Sequence, residues 1–283
     1  MTGNESRSID VKTTVERILV VVTALLMCAG ASAAADLHPI VEVQSGYLFG
    51  AILDGKWVKA DETKKLISDE TTYRMYGLTQ ALGEAKGGKP TEPEGVPCEE
   101  IWAVSLSPKP ENGVIAIAAP WNALPRKPKV IDTTQKTYVD AVRDFLKTKG
   151  IEQPKVKIDN ILRVDLDGDG EEEVLISATN YFSKRLPMRS PAGSYSMVLL
   201  RRVVAGKVET QLVAGEFHPK AYVSKEASFD APSSYKVIAT LDLDGDGKLE
   251  VVVSSDYYEG EQMTIYGYDP KKAEALLTVE CGA

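Results

Sequence analysis

Short apolar runs, alternating or continuous, dominate the first half of the chain and predict β-strands between residues 39 and 118. They are IVEV, GYLFGAILDGKWVKA, TTYRMYGL, IWAVSLS and VIAIAA, and the Asp54-Gly55 pair inside the second is typical of a hairpin turn. Glycine and proline are dense in residues 84–99, which indicates a loop, and in residues 119–130, which indicates a linker. The pattern predicts a β-rich N-terminal region, residues 36–130.

Residues 133–149 carry apolar side chains at helical spacing and predict one amphipathic helix. The apolar stripe consists of Tyr138, Val139, Val142, Phe145 and Leu146. Asp132 and Gln135 have the spacing of a capping box at its start, and Gly150 supplies a stop. We expect residues 131–155 to form a linking helix whose stripe packs against a sheet, in preference to a partner helix.

The chain repeats itself after residue 156. ILRVDLDGDGEEEVLIS begins at Ile161 and VIATLDLDGDGKLEVVVS begins at Val237, so Asp165 and Asp242 are equivalent. In both copies apolar residues alternate before the acidic segment and run continuously after it, as they do in strands. Each acidic segment is therefore predicted to join two strands of a hairpin, and residues 156–283 to contain one unit used twice.

Both acidic segments place carboxylates at matching positions of a tight loop. Positions 1, 3, 5 and 9 are Asp165, Asp167, Asp169 and Glu173 in the first copy and Asp242, Asp244, Asp246 and Glu250 in the second. Glycine at position 6 permits the bend, and the backbone carbonyl at position 7, from Glu171 or Lys248, is a further candidate ligand. Oxygen donors at this density suit Ca²⁺, with water completing each shell. The alternative is a solvated acidic turn that holds no metal.

An EF-hand loop also begins D-x-D-x-D-G, but it needs a bidentate glutamate at position 12 and a helix on each side. Position 12 is Ile176 in the first copy and Val253 in the second, and both belong to predicted strands. The sequence therefore excludes an EF-hand and the related helical dockerin type.

The pattern D-L-D-G-D-G-x-x-E followed by an apolar strand, present twice, resembles the calcium loops of FG-GAP and VCBS repeats. These repeats occur in integrin α-subunits and in many exported bacterial proteins. The resemblance implies that each copy is a four-stranded sheet similar to a β-propeller blade. Glu173 and Glu250 stand where the family usually has aspartate. Two copies are fewer than the roughly four blades that close a propeller, so we expect two blade-like sheets unless the N-terminal strands supply further blades.

The first 35 residues have the order of a secretory signal. Arg7, Lys12 and Arg17 precede the apolar run ILVVVTALLMCA, and small residues follow it. We predict cleavage near Asp36 and a protein that is secreted, periplasmic or on the cell surface. An uncleaved membrane anchor and lipidation of Cys28 are the alternatives, and either would place the protein at a membrane.

Removal of this signal would leave two cysteines, Cys98 and Cys281. Exported proteins meet an oxidising compartment, where an even pair of cysteines indicates a disulfide. The alternative is two separate buried thiols.

Composition and charge narrow the class of function. Hydrophobic residues make up 43% of the chain and charged residues 26%, which is typical of a folded protein. The net charge is −8 and no basic cluster occurs, which argues against nucleic-acid binding. The sequence has no G-x-S-x-G elbow, P-loop or dinucleotide fingerprint, and His38 and His218 lack metal spacing. A catalytic pair assembled in space, such as Asp256 or Glu259 with a distant acid, stays open.

A partner surface has two candidates. An insertion in the first copy, YFSKRLPMRSPAGSYS, carries Lys184, Arg185 and Arg189 and suits an anionic or glycan partner; a tolerated surface insertion is the alternative. The second candidate is Trp121 in the linker, whose alternative role is packing against the neighbouring sheet.

We therefore expect a mainly β protein with a minor helical part, built from a β-rich N-terminal region, one amphipathic helix and two four-stranded, propeller-blade-like sheets with calcium hairpin loops. Its function would be that of an exported calcium-binding protein with structural calcium. We expect it to act as a surface or periplasmic interaction or adhesion module for a protein or glycan ligand. The alternative is a secreted hydrolase with a spatially assembled acidic site.

Overall fold

The fold is mainly β, as the hydrophobic pattern predicts, and its strands pair antiparallel. The computed structural model describes Met1 and residues 35–95, 98, 100–181, 189–223, 232–269 and 272–282. Contacts divide the chain into Met1–Ala35 and Asp36–Ala283, and the architecture below is that of the second unit. The predicted signal peptide, apart from its two ends, and the insertion residues Lys184 and Arg185 lie outside the described residues. No helix in the described part of the chain is long and apolar enough to span a membrane.

A seven-stranded sheet forms the N-terminal region, in the order β3-β2-β1-β7-β4-β5-β6. Its strands are β1 (Leu37–Glu42), β2 (Leu48–Leu53), β3 (Lys56–Lys59), β4 (Thr71–Tyr76), β5 (Ala81–Gly87), β6 (Leu106–Ser107) and β7 (Ile115–Ile117), and a helical turn α1 (Ala60–Thr63) follows β3. Asp54 and Gly55 have φ angles of 49° and 73°, which confirms the predicted hairpin turn between β2 and β3.

Strand β5 corrects the prediction of a loop over residues 84–99. Its sequence, ALGEAKG, is poor in β-branched and aromatic residues, so local propensity does not mark it as a strand. It forms because β4 offers a partner along its length, with Thr71 opposite Gly87 and Tyr76 opposite Ala81.

The first copy of the repeat lies in a five-stranded sheet of order β13-β12-β10-β9-β8. Its strands are β8 (Lys129–Ile131), β9 (Ile158–Val164), β10 (Glu173–Thr179), β12 (Ser194–Val204) and β13 (Lys207–His218). The prediction of four strands is wrong here, because the end of the predicted linker adds β8 to the edge, with Lys129 opposite Arg163. Two short strands, β11 (Arg189–Ser190) and β14 (Tyr222–Val223), pair separately.

The second copy forms a four-stranded antiparallel sheet in chain order, as predicted. Its strands are β15 (Ser234–Leu241), β16 (Glu250–Tyr257), β17 (Gly260–Gly267) and β18 (Glu274–Gly282). The acidic loops join β9 to β10 and β15 to β16, and both pairs are antiparallel. The prediction that each acidic segment links the strands of a hairpin is therefore confirmed.

Helix α2 (Lys136–Thr148) covers the first-copy sheet with the predicted stripe, and Val142 and Leu146 are fully buried. The capping-box prediction is wrong. Gln135 makes no side-chain cap, and the Asp132 carboxylate instead accepts a hydrogen bond from the Thr134 amide at 2.9 Å. That bond forms a local turn ahead of the helix, so the helix begins later than predicted.

The second-copy sheet lies between the other two sheets. One face, including Leu241 and Val252, shares a core with Ile40 of the N-terminal sheet. The opposite face, including Val251, packs with Leu175 of the first-copy sheet. The continuous apolar run of β16 is explained by this position, because a strand buried on both faces needs apolar side chains on both.

Cys98 and Cys281 form a disulfide, with their Cα atoms 5.1 Å apart, which confirms the predicted pairing. The bond ties the segment before β6 to β18, and both cysteines pack against the core shared by the N-terminal and second-copy sheets. Asp36–Ala283 is one unit by its contacts, so the boundaries predicted at residues 130 and 155 separate consecutive segments of that unit.

Candidate metal centres

The first acidic loop brings three of its predicted ligands together. Carboxylate oxygens of Asp165, Asp167 and Glu173 lie within 4.8 Å of one another. Asp165 holds the loop closed, since its two oxygens accept hydrogen bonds from the amides of Gly168 at 2.6 Å and Gly170 at 3.1 Å. This arrangement places three anionic groups around one point, and the nearby Arg126 Nε lies 4.0 Å from an oxygen of Asp165.

The second loop repeats this arrangement with a different third member. Oxygens of Asp242, Asp244 and Asp246 lie within 4.8 Å of one another. Asp242 accepts a hydrogen bond from the Gly245 amide at 2.8 Å, the counterpart of the bond from Gly168 to Asp165. Two loops separated in the sequence thus fold to equivalent geometry.

Asp169 of the first loop and Glu250 of the second are predicted ligands that lie outside these clusters. Asp169 accepts the Glu171 amide and Asp246 accepts the Lys248 amide, both at 2.7 Å, so position 5 stabilises the turn at position 7 in each loop. The side chains of Glu171 and Lys248 are exposed, consistent with the prediction that only their carbonyls would serve as ligands. That carbonyl role stays a prediction.

Glutamate at position 9 has a role that the sequence did not reveal. One oxygen of Glu173 accepts the Leu166 amide and one oxygen of Glu250 accepts the Leu243 amide, both at 2.8 Å. Each bond joins position 9 to position 2 across the loop, a span that the longer side chain reaches from the first residue of the following strand. Glu173 belongs to the first cluster, whereas Glu250 lies outside the second, so the ligand role of Glu250 stays a prediction.

Burial makes these carboxylates costly to ionise without a cation. Desolvation is the main cause that raises the pKa of Glu173, Asp242 and Asp244, and it raises the pKa of Glu250 to about 9. Neighbouring aspartates in each loop add to the shift. Among the described residues, no lysine or arginine nitrogen lies within 4.0 Å of the carboxylates of these four residues. A bound cation would offset the burial and the mutual repulsion together.

Two tryptophans of the N-terminal region contact the second loop. The Trp121 indole N–H donates a hydrogen bond to the Asp242 carbonyl at 2.9 Å, and a Cβ added at Gly245 would lie 3.2 Å from its ring. Trp57 in β3 hydrogen bonds to the Asp244 carboxylate and so lowers its pKa, against the larger effect of burial. Trp121 therefore packs against the loop and, as the alternative above expects, against the neighbouring core, while its role as a partner surface stays a prediction.

Arg126, from the predicted linker, contacts both loops. Its guanidinium donates to the carbonyls of Asp165 at 2.6 Å and Leu166 at 3.2 Å in the first loop, and to the carbonyl of Gly247 at 2.7 Å in the second. Sequence reasoning missed this residue because nothing local in residues 119–130 marks it. Its only sequence signal is a positive charge among prolines in an otherwise acidic protein.

Of the three basic residues predicted to contact a partner, the structure describes one. Arg189 belongs to β11, which pairs with β14, while Lys184 and Arg185 fall outside the described residues. Of the candidate catalytic acids, Asp256 lies in β16, where burial raises the pKa of its carboxyl, and Glu259 is exposed in the following turn.

Two cavities of about 440 and 480 Å³ share Asp61, Glu100 and Trp102 in their walls, away from both loops. Asp61 accepts hydrogen bonds from Lys64 at 2.7 Å and from the Trp102 indole at 2.9 Å, and these bonds lower the pKa of its carboxyl. A carboxyl that acts as a general acid needs a raised pKa, whereas the environment of Asp61 lowers the pKa of its carboxyl.

Comparison with models of protein families, with curated proteins and with solved structures finds no match to this chain. The resemblance to FG-GAP and VCBS repeats therefore rests on the loop residues and their flanking strands.

Proposed function

We propose that this protein binds two calcium ions, one in each acidic loop, and that the metal is structural. The observation that carries the proposal is the repetition: two separate loops each bring three carboxylates within 4.8 Å of one another through equivalent hydrogen bonds. We further propose, from the loop sequence, that the two hairpins are related to FG-GAP and VCBS repeats and that their sheets are blade-like.

The donor set favours calcium over other metals. All candidate ligands are oxygen atoms, and carboxylates combined with backbone carbonyls and water suit Ca²⁺. The described part of the chain has no histidine or thiol in either cluster, so the soft ligands typical of zinc sites are absent there.

The position of the loops supports a structural role. Each one joins two core strands, and the second is covered by Trp57 and Trp121 from the N-terminal region. A cation there would stabilise hairpins that are already part of the core. Binding to the native state alone adds about 2.7 kcal/mol per site when free calcium is about 100 times Kd.

Calorimetric titration and thermal melting test this proposal. We expect two calcium ions per chain, a lower melting temperature in EDTA, and loss of one ion in Asp165→Asn and in Asp242→Asn. Asn removes the charge but has a single acceptor oxygen, so Asp165→Asn can keep only one of the two bonds from the Gly168 and Gly170 amides, and circular dichroism checks that both variants stay folded. Lys129→Gln is the matched control, because it breaks an exposed ion pair with Glu172 without touching the clusters. An EDTA melting curve identical to the calcium curve would contradict the proposal.

We also propose that the protein is exported and serves as an interaction or adhesion module for a protein or glycan ligand. The disulfide supports an oxidising, extracytoplasmic location. The basic insertion in an acidic protein supports a ligand surface. Substitution of Lys184, Arg185 and Arg189 by glutamine, which keeps the residues of β11 and β12, followed by pull-down of glycans and proteins, tests the surface: we expect binding to be lost while the calcium stoichiometry stays at two. Unchanged binding would remove this surface from the proposal.

A further inference from the structure

Arg126 occupies the space between the two acidic loops and is partly buried. One edge of its guanidinium faces the carbonyls of Asp165 and Leu166, and Nη2 also reaches the carbonyl of Gly247. Its Nε lies 4.0 Å from a carboxylate oxygen of Asp165. One planar cation therefore holds backbone oxygens of both candidate sites at once, using donors on two different nitrogens, whereas the three donors of a lysine ammonium share one nitrogen.

The loops are also joined without Arg126. The Leu249 amide donates a hydrogen bond to the Leu166 carbonyl at 2.8 Å, so position 8 of the second loop meets position 2 of the first. Leu166 thus accepts from both Arg126 and Leu249. The packing is close, since a Cβ added at Gly168 would lie 3.3 Å from an Arg126 nitrogen.

We propose that Arg126 makes the two calcium sites interdependent, so that filling one loop raises the affinity of the other. This inference rests on the proposed function. The bridging bonds require the carbonyls of both loops to lie in the positions shown here. Calcium bound in one loop holds its carbonyls in place for Arg126, and Arg126 in turn restrains the other loop. The second ion then binds a loop that is already ordered, so its binding costs less conformational entropy and its affinity is higher.

Coupling of this kind is reciprocal: the factor by which the first site affects the second equals the factor in the other direction. Measured couplings between linked sites are typically about 5- to 150-fold in affinity. We therefore expect the dissociation constant of the second loop to rise by at least about 5-fold when the first loop cannot bind calcium.

The second loop has its own reporter, because Trp57 and Trp121 both contact it. Calcium affinity of that loop is measured by tryptophan fluorescence and checked by calorimetry, in the full chain and in a variant whose first loop is disabled by Asp165→Asn with Asp167→Asn. The same pair of proteins is then prepared with Arg126→Gln. A double-mutant cycle isolates the contribution of Arg126 to the coupling.

Two further variants distinguish an effect of the hydrogen bonds that Arg126 makes to both loops from an effect of its positive charge alone. Arg126→Lys keeps the positive charge but gathers its donors on one nitrogen in place of the spaced Nε and Nη2, and we expect it to lose the coupling as Arg126→Gln does, to within about 2-fold of independence. Arg163→Gln removes the same charge near the first loop, where Arg163 pairs with the Glu172 side chain at 3.0 Å, and we expect it to keep the coupling. Circular dichroism confirms that each variant is folded.

The outcomes distinguish the two proposals. A chain that binds no calcium refutes the proposed function and the coupling with it. Two calcium ions with an unchanged second-loop affinity after the first loop is disabled would leave the proposed function standing and overturn the coupling alone. Coupling that persists in Arg126→Gln and Arg126→Lys would also overturn it, since the bond between Leu249 and Leu166 would then suffice.

Discussion

Breaking the disulfide between Cys98 and Cys281 should destabilise the protein strongly. The bond closes a loop across 183 residues and joins a segment of the N-terminal region to the last strand, β18. Both cysteines pack against the core shared by the N-terminal and second-copy sheets and are partly exposed, so a reductant can reach them. The double variant Cys98→Ala with Cys281→Ala removes the bond without placing a new polar group against that core.

The expected magnitude follows from the sequence separation. Loop-closure entropy for a loop of this length corresponds to about 5 kcal/mol at 25 °C. For a unit of this size, roughly 1 kcal/mol changes the melting temperature by about 2–4 °C, so we expect a decrease of roughly 10–20 °C.

Scanning calorimetry of Asp36–Ala283 in calcium, with and without reductant, measures this effect. Reductant should lower the melting temperature of the wild type to that of the double variant and leave the double variant unchanged. The reasoning would be refuted if the wild type and the double variant melted within about 2 °C of each other. The bond would then restrict the unfolded chain far less than the loop-closure entropy for 183 residues predicts.

Three further predictions concern the loops. Calcium should change the intrinsic fluorescence of the wild type, and Trp121→Phe should reduce this change while Trp102→Phe, whose indole bonds to a distant aspartate, should not. Gly245→Ala should lower the free energy of unfolding by about 1–2 kcal/mol, because Gly245 has a positive φ of 77° and an added Cβ would lie 3.2 Å from the Trp121 ring. Gly247→Ala is the control, since its φ is similar but its added Cβ meets open space, and chemical denaturation should show a smaller loss for it. Burial raises the pKa of the Glu250 carboxyl to about 9, whereas in the unfolded chain the same group loses its proton near its ordinary pKa of 4.5. The free energy of unfolding of the metal-free protein should therefore decrease as pH rises from about 4.5 toward 9. Chemical denaturation at several pH values should show a weaker dependence of that free energy on pH in Glu250→Gln.

Local features of the protein were predictable from short stretches of sequence. The acidic loops, their flanking strands and the hairpin at Asp54-Gly55 were correctly predicted because each depends on neighbouring residues. Helical periodicity identified α2 and its buried face, although the start of the helix was set by a turn at Asp132 that competes with capping. The disulfide was predictable because only two cysteines remain once the signal segment is set aside.

Sequence alone thus determined that the protein is mainly β, that it carries two equivalent acidic hairpin loops and which cysteines pair. Only the tertiary structure decided that β8 joins the first-copy sheet, that the second-copy sheet lies between the other two, and that Arg126 and Trp121 reach the loops. The physical reason is the range of the interactions. Turns and strand periodicity arise from residues adjacent in the chain, whereas contacts between a proline-rich linker and loops up to 121 residues away exist only after the sheets have packed.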